Sequence, residues 1–320
     1  MANYLVTGGA GFIGSNLVND LIKEHKVVVI DNCSMGKVEN LDHSSNLKFI
    51  KGDVTDYTLM ERILKNKNFD YIFHLAAIAS VADSVERPVE THQVNFDSVF
   101  QLLERVRKYQ PFLKRFVFSS SAAVYGDEST LPKQEESVIR PLTTYAIDKF
   151  SAEKFVLMYN NLYGVPTCVA RFFNVYGPRQ NPSSSYSGVI SKCMDCFEKM
   201  KDNSNVKFTL FGDGKQSRDF VFVKDVIYAL QIISEHPNSL GEVYNVGVGK
   251  ATTLLELFSI IEGILGKNLP VSYEKARFGD IKESFADIAK LSALGYKPKY
   301  TMRKGMEEYI LYFNQNSKKI

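Results

Sequence analysis

The sequence predicts an α/β fold, a doubly wound parallel sheet followed by a smaller C-terminal α/β part. Three observations carry that expectation. Thr7-Gly8-Gly9-Ala10-Gly11-Phe12-Ile13-Gly14 stands between a short apolar run and a stretch whose apolar positions 17, 18, 21 and 22 recur at helical spacing. Apolar runs then alternate with helix-patterned stretches as far as about residue 170. Past residue 181 the alternation gives way to shorter, less regular segments.

Taken in order, the first strand is Tyr4-Leu5-Val6, and the glycine loop leads from it into a helix. Strand, glycine loop and helix in that order are the setting of a dinucleotide fingerprint. Gly8 permits the tight turn, Gly11 lets the main chain approach a pyrophosphate, and Gly14 lets the helix pack close to the sheet. N–H groups at the helix start offer partial positive charge to phosphates. Val27-Val28-Val29-Ile30 is an unbroken β-branched run, as a strand covered on both faces requires. Leu47-Lys48-Phe49-Ile50 is the third strand, followed by Gly52-Asp53-Val54 and a helical stretch through Leu64. Tyr71-Ile72-Phe73-His74-Leu75 is the fourth, and a helix is expected over about 95–108. Phe116-Val117-Phe118-Ser119 is the fifth, a helix over about 143–163 follows, and Thr167-Cys168-Val169-Ala170 is the sixth. Asn181-Pro182-Ser183-Ser184-Ser185 reads as a loop. It divides a dinucleotide-binding part, 1–180, from a substrate-facing part, 181–320, some segments of which return to the first.

Composition narrows the function. With 320 residues, 45% hydrophobic and 23% charged, the chain has ordinary globular composition. Its 39 basic and 36 acidic residues leave a net charge of +3, too balanced to predict nucleic-acid binding by a basic field, and no nucleic-acid partner is expected. No apolar run approaches the roughly 18–20 residues of a membrane span, and the N-terminus carries no leader pattern, so a cytoplasmic protein is expected. The cysteines are Cys33, Cys168, Cys193 and Cys196, too few for a disulfide framework. Cys193-Met194-Asp195-Cys196 has no second CxxC and no histidine pair at metal spacing. It reads as two small residues on one face of a helix over 189–200, and no metal is expected.

The second strand ends in Asp31, about 20 residues past the glycine loop, where an acid bonds the adenine ribose hydroxyls. A carboxylate there repels a 2′-phosphate, and Asn32 and Cys33 supply no compensating arginine, so NAD is favoured over NADP. Asp53, at the end of the third strand, is placed to meet the adenine edge.

Ser119-Ser120-Ser121 ends the fifth strand, and Tyr145-Ala146-Ile147-Asp148-Lys149 opens the next helix. At i,i+4 the tyrosine and lysine share a helix face. An ammonium beside a phenol favours phenolate, so the Tyr145 hydroxyl is expected below the usual phenol value of about 10. Such a group can take a proton from an alcohol while hydride leaves the same carbon, with a serine hydroxyl relaying the proton. Tyr-x-x-x-Lys alone reads as a surface pair on a helix; the glycine loop, ribose acid and strand-end serine together point instead to catalysis.

These motifs, with His74-Leu75-Ala76-Ala77, resemble the extended short-chain dehydrogenase/reductases, which are built on a Rossmann sheet. Arg171-Phe172-Phe173-Asn174-Val175-Tyr176-Gly177, Ser217-Arg218-Asp219-Phe220, Tyr244-Asn245-Val246-Gly247 and Arg277-Phe278-Gly279-Asp280 are similar to the nucleotide-sugar branch. Within it the chain resembles most the UDP-hexose 4-epimerases, from residue 3 to at least 290.

The resemblance implies that Tyr145 deprotonates the sugar 4-hydroxyl while C4 gives hydride to a retained NAD. The resulting 4-keto sugar turns about its pyrophosphate, and hydride returns to the opposite face. Ser121 would shuttle the proton, and Lys149 would hold the nicotinamide ribose. The implied cofactor set adds Phe12, Ile13, Asn32, Ser34, Gly36, Val54, Leu75, Ala76, Ala77, Asn95 and Phe173 to Gly8, Gly11, Gly14, Asp31 and Asp53. For the UDP-sugar, Arg218 and Arg277 would neutralise the diphosphate, Asn174 would donate to it, and Asp280 would take the uridine ribose. Backbone around Thr209 and Phe211 would meet the uracil, with Ala79, Ser80, Gly188 and Val189 along the sugar. A homodimer is implied, through helices at about 95–108 and 145–163.

Relatives that dehydrate the sugar carry an acid pair where this chain has Ala122 and Ala123, so dehydration lacks its acid and base. A UDP-glucuronate decarboxylase or 4-epimerase would need a grip on a C6 carboxylate, for which the sequence shows no dedicated residue. A non-catalytic NAD- or UDP-sugar-binding protein would not need Ser121, Tyr145 and Lys149 together. Ser284 occupies the family position that is bulky in enzymes limited to plain hexoses. With Gly188, Ala79 and Ser80 it suggests room for N-acetylated sugars; otherwise Ser284 simply begins a helix.

Overall fold

The computed structural model describes residues 1–181, 188–201, 206–276 and 281–316. Its first half runs β1 (Asn3–Thr7), α1 (Phe12–Leu21), β2 (Lys26–Asp31), β3 (Leu47–Lys51), α2 (Tyr57–Asn66) and β4 (Tyr71–His74). Next come α3 (Val81–Glu86), α4 (Pro88–His92), a π turn (Gln93–Asp97), α5 (Ser98–Tyr109), β5 (Arg115–Ser121), α6 (Thr144–Tyr163) and β6 (Thr167–Phe172). The second half runs β7 (Asn174–Tyr176), α7 (Val189–Lys199), β8 (Phe208–Phe211), β9 (Ser217–Arg218), β10 (Phe220–Phe222) and α8 (Val223–Glu235). It ends with β11 (Val243–Val246), β12 (Thr252–Thr253), α9 (Leu254–Leu265), β13 (Val271–Glu274), β14 (Glu283–Ser284), α10 (Ala289–Ser292) and α11 (Met302–Asn316).

Seven strands form one parallel sheet in the order β11-β6-β5-β4-β1-β2-β3. Side chains alternate across it: Tyr4 and Val6 of β1 join the core under α1 and α8, while Leu5 joins the core under α2, α5 and α6. Val27 and Val29 likewise face one core and Val28 and Ile30 the other. That double burial is why the sequence shows unbroken apolar runs there. From β1 the chain winds to β2 and β3 on one side, then crosses to β4 and β5 on the other. A crevice therefore opens at the carboxyl ends of β1 and β4, the topological switch point.

A second core gathers α7, α9 and α11 around β8 and β10. Cys193 and Cys196 lie in it as buried free thiols. The chain does not stay in this part after residue 181. Helix α8 returns to cover the large sheet, and β11 becomes its edge beside β6.

One local expectation and one alternative reading are corrected. The helix expected from Asn95 begins as a π turn and becomes α-helical only at Ser98. Ser284 does not begin a helix: it lies in β14, parallel to β9, in register with Arg218. Of the polar loop expected at 181–185, only Asn181 lies among the described residues. None of the described helices is long and apolar enough to cross a membrane.

Candidate active site

A cleft of about 700 Å³ occupies the switch point. Its floor is the glycine loop. Gly8 has φ +69°, and a Cβ there would stand 2.7 Å from the Ala76 nitrogen; at Gly14 it would stand 2.1 Å from the Gly8 oxygen. The Thr7 hydroxyl joins the loop to β4, bonding His74 Nδ1 at 2.8 Å and accepting from the Ala76 N–H at 3.3 Å. Helix α1 starts from Gly11 with no side chain capping its first turn, and Gly11, Phe12, Ile13 and Gly14 line the cleft. Open N–H groups aimed into a cleft form an anion site.

Asp31 is buried at the end of β2 and lines the cleft. Its Oδ2 accepts from the Ala10 N–H at 2.9 Å and its Oδ1 from the Cys33 N–H at 2.8 Å. Both oxygens are thereby fixed in place, each with a further lone pair to offer. Asn32, Ser34, Gly36, Asp53 and Val54 complete this end, with Asn32 Nδ2 donating to Asp53 Oδ2 at 2.7 Å. Uncapped helix, ribose-side carboxylate and glycine cradle fit the pyrophosphate and adenosine of NAD.

At the other end, Thr143 Oγ1 accepts from the Ala146 N–H at 3.3 Å and fixes the first turn of α6. Tyr145 and Lys149 lie on that face and line the cleft. The three serines ending β5 are separated by their partners. Ser119 Oγ donates to the His74 carbonyl, Ser120 Oγ to Glu153 Oε2, and Ser121 Oγ accepts from the Ala123 N–H at 3.2 Å, on the cleft wall with Tyr145.

The lysine does not act on the tyrosine as expected. Lys149 Nζ donates to the Ser119 carbonyl at 2.8 Å and lies 4.9 Å over the Phe118 ring. Burial pushes its ammonium down to about 7, opposed by the carboxylate of Asp148. Burial raises the Tyr145 phenol above its ordinary value, and the Ser121 hydroxyl is the group that lowers it. The expected fall is corrected because Nζ is turned to a strand carbonyl. His74, buried behind, is pushed down to about 3 by burial and then by Lys149, so it is neutral.

Leu75, Ala76, Ala77, Ala79, Ser80, Phe173, Asn174, Gly188 and Val189 also line the cleft. Asn95 does not. It is buried beneath, its amide donating to the Ile78 carbonyl and accepting from the Ile78 N–H, so it shapes the wall from behind. Thr209, Phe211, Arg218 and Ser284 lie off the cleft on the small sheets, and the Phe211 carbonyl accepts from Gln216 Nε2. Arg277 and Asp280 fall outside the described residues.

The cleft also holds residues that no motif announced: Asp83, Arg87, Glu90, Val94, Arg179 and Gln180. Arg87 pairs with Asp83 at 3.1 Å and Glu90 at 2.8 Å. Arg179, at φ +70°, reaches Asn16 Oδ1 at 3.2 Å and Asp42 at 3.6 Å. Their i,i+3 and i,i+4 charge pattern over 83–90 reads as an ordinary solvated helix face.

A model of the NAD dependent epimerase/dehydratase family matches residues 4–247. The chain belongs to that family. NAD is accordingly its cofactor. It is similar to a structure of UDP-N-acetylglucosamine 4-epimerase from Methanobrevibacter ruminantium in complex with UDP-N-acetylmuramic acid. Identity is 38%, coverage 98% of this chain and 99% of that one, and the TM-score 0.91. It is also similar to a UDP-glucose 4-epimerase with UDP-glucose from Thermotoga maritima, at 37% identity over 98% and 99% of the two chains, with a TM-score of 0.92. A curated UDP-glucose 4-epimerase from Mycolicibacterium smegmatis is 34% identical over 98% of this chain and 99% of its own length.

Proposed function

We propose that this chain is a UDP-sugar 4-epimerase that retains NAD and interconverts UDP-Glc with UDP-Gal and UDP-GlcNAc with UDP-GalNAc. One observation carries the reading: Ser121 and Tyr145, with Lys149 one turn on, line the dinucleotide cleft where it continues towards Asn174, Gly188 and Val189. NAD bound there supplies an acceptor for the C4 hydride and returns it. Tyr145 and Ser121 take the 4-hydroxyl proton and give it back to the 4-oxo oxygen after the sugar has turned. Lys149, as an ammonium, would hold a ribose hydroxyl of the cofactor. Ala79 and Gly188 leave the turning sugar room. Ala122 and Ala123, in the turn after Ser121, offer no proton for dehydration.

Ser284 sits in register with Arg218, so the two share a strand face; neither lines the cleft, and Ser284 would stand near the sugar only if Arg218 meets the diphosphate. Ser284→Tyr is expected to abolish conversion of the N-acetylated pair while sparing the plain hexoses. Equal loss on both would remove Ser284 as gatekeeper.

A second reading draws on Arg87 and Arg179, cations on the cleft wall that could meet the C6 carboxylate of UDP-glucuronate. Asp83, Glu90 and Asp42 already balance them.

The deciding assay gives the purified protein each of the four UDP-sugars, and UDP-glucuronate, with no added NAD. Conversion of the hexoses without NADH accumulating supports epimerisation; net NADH, or turnover of the acid alone, would overturn it. Tyr145→Phe is expected to lower turnover by about 10²–10⁴-fold while UDP-sugar binding survives.

A further inference from the structure

Arg179 lines the cleft just past the Arg171–Gly177 run, and the epimerase reading gives it no task. With Cys33 it is one of two residues other than glycine, among those described, whose backbone lies in the left-handed region, at φ +70°. Residues with a side chain avoid that region, so one held there on a cleft wall is a functional signal. The turn that carries it is docked on the first turns of α1. Asn16 Nδ2 donates to the Phe12 carbonyl at 2.9 Å and to the Pro178 carbonyl at 3.0 Å, and Asn16 Oδ1 accepts from Arg179 Nη1 at 3.2 Å. Helical side chains lean towards the N-terminus, so Asn16 draws the guanidinium back towards the uncapped start of α1.

We propose that Arg179 joins the N–H groups of α1 in holding the pyrophosphate of NAD. A helix start offers only about half a positive charge to a doubly charged pyrophosphate, and a guanidinium fork matches paired phosphate oxygens. The Arg179 side chain is 22% exposed, and its ion pair with Asp42, at 3.6 Å, is to a carboxylate that is itself 64% exposed. A pair so open to water holds weakly. That pair and the bond to Asn16 leave most of the five N–H groups of the guanidinium uncommitted among the described residues. The other cations on the described cleft lining are engaged elsewhere. Lys149 donates to the Ser119 carbonyl, and Arg87 is held between Asp83 and Glu90 at 3.1 and 2.8 Å. Arg179 is the one bonded to α1. The proposal rests on NAD as the cofactor and not on which sugar is converted.

The test loads wild type, Arg179→Gly, Arg179→Ala and Arg179→Lys with ¹⁴C-labelled NAD and follows its release into excess unlabelled NAD. Arg179→Gly keeps the left-handed turn and removes the guanidinium, so it separates the cation from the backbone. Arg179→Gly and Arg179→Ala are expected to release NAD roughly ten- to a hundredfold faster than wild type. Arg179→Lys should fall between, because it keeps the charge without the fork. ADP-ribose should compete for the site of Arg179→Gly more weakly by a similar factor, whereas adenosine, which lacks the pyrophosphate, should compete as it does in wild type. The affinity for UDP, measured by calorimetry in saturating NAD, should be unchanged. Release from Arg179→Gly at the wild-type rate would overturn the proposal. So would an equal weakening of ADP-ribose and adenosine, or a loss of UDP affinity as large as that of NAD. Should Arg179→Ala fail to fold, Arg179→Gly and Arg179→Lys decide alone. A wild type that converts no UDP-sugar would sink the epimerase reading and leave the NAD measurements to decide this one.

Discussion

Lys149 carries its charge at a cost, because its ammonium is buried against one carbonyl oxygen and an aromatic face. Its folded pKa, about 7, lies below its ordinary value, so between pH 7 and 10 the unfolded chain binds the extra proton. Stability therefore rises with pH across that window, and the full cost is present below it. Lys149→Met is expected to raise the thermal midpoint of the NAD-free protein at pH 6, with an advantage that shrinks towards pH 10. A difference that stays flat with pH would count against this. Deeper in, Arg171 donates from Nε to Glu153 Oε2 at 2.9 Å, both side chains being almost wholly excluded from solvent. Glu153→Gln leaves the guanidinium uncompensated and should cost about 3–5 kcal/mol in urea unfolding. At this scale, Tyr145, Lys149 and Asp31 were legible because their signals are spacings along the chain. Spacing alone did not separate the three serines, and Ser121 was singled out only by the resemblance, since β4 and α6 decide which hydroxyl goes where. Nor was the direction of the Tyr145 shift, which follows from burial and from where Nζ points.

Among the elements, the β1–loop–α1 unit was the most legible, because its glycines answer to contacts within the unit or just beside it. The Cβ of Gly14→Ala would collide with the Gly8 carbonyl oxygen, which belongs to the same rigid turn. Overpacking of this kind costs about 1–3 kcal/mol. Loss of thermal stability together with loss of NAD retention is the expected outcome; normal retention would show that the turn can relax. The π turn before α5 left no mark in the sequence. It coincides with the bonds from Asn95 to Ile78, a contact between residues 17 apart. Strand β14 was likewise hidden, because two residues carry no periodicity, and only pairing with β9 makes them a strand.

For the molecule as a whole, the large sheet could be read in advance and the second part could not. Its sheets have two or three strands each, joined by contacts distant in sequence. The π turn and helices α5 and α6 carry a row of partly buried rings, Phe96, Phe100 and Phe155, in edge contacts at 5.3 and 5.4 Å. This face is our candidate for a homodimer interface. Sedimentation velocity should give twice the chain mass, and a monomer at micromolar concentration would remove the proposal. One residue bears on the chain's evolution. The Asp219 carboxylate accepts from the N–H groups of Val248, Gly249 and Ala286, its own N–H donates to the Ser284 carbonyl, and its carbonyl accepts from the Asn174 N–H. The return of α8 and β11 to the sheet, with the bond from Asn174 to Asp219, ties the C-terminal half to the first. Recombination between relatives at a single crossover near residue 181 carries off a sheet strand and parts Asp219 from Asn174. New sugar specificities would then arise by substitution in place rather than by exchange of the C-terminal half.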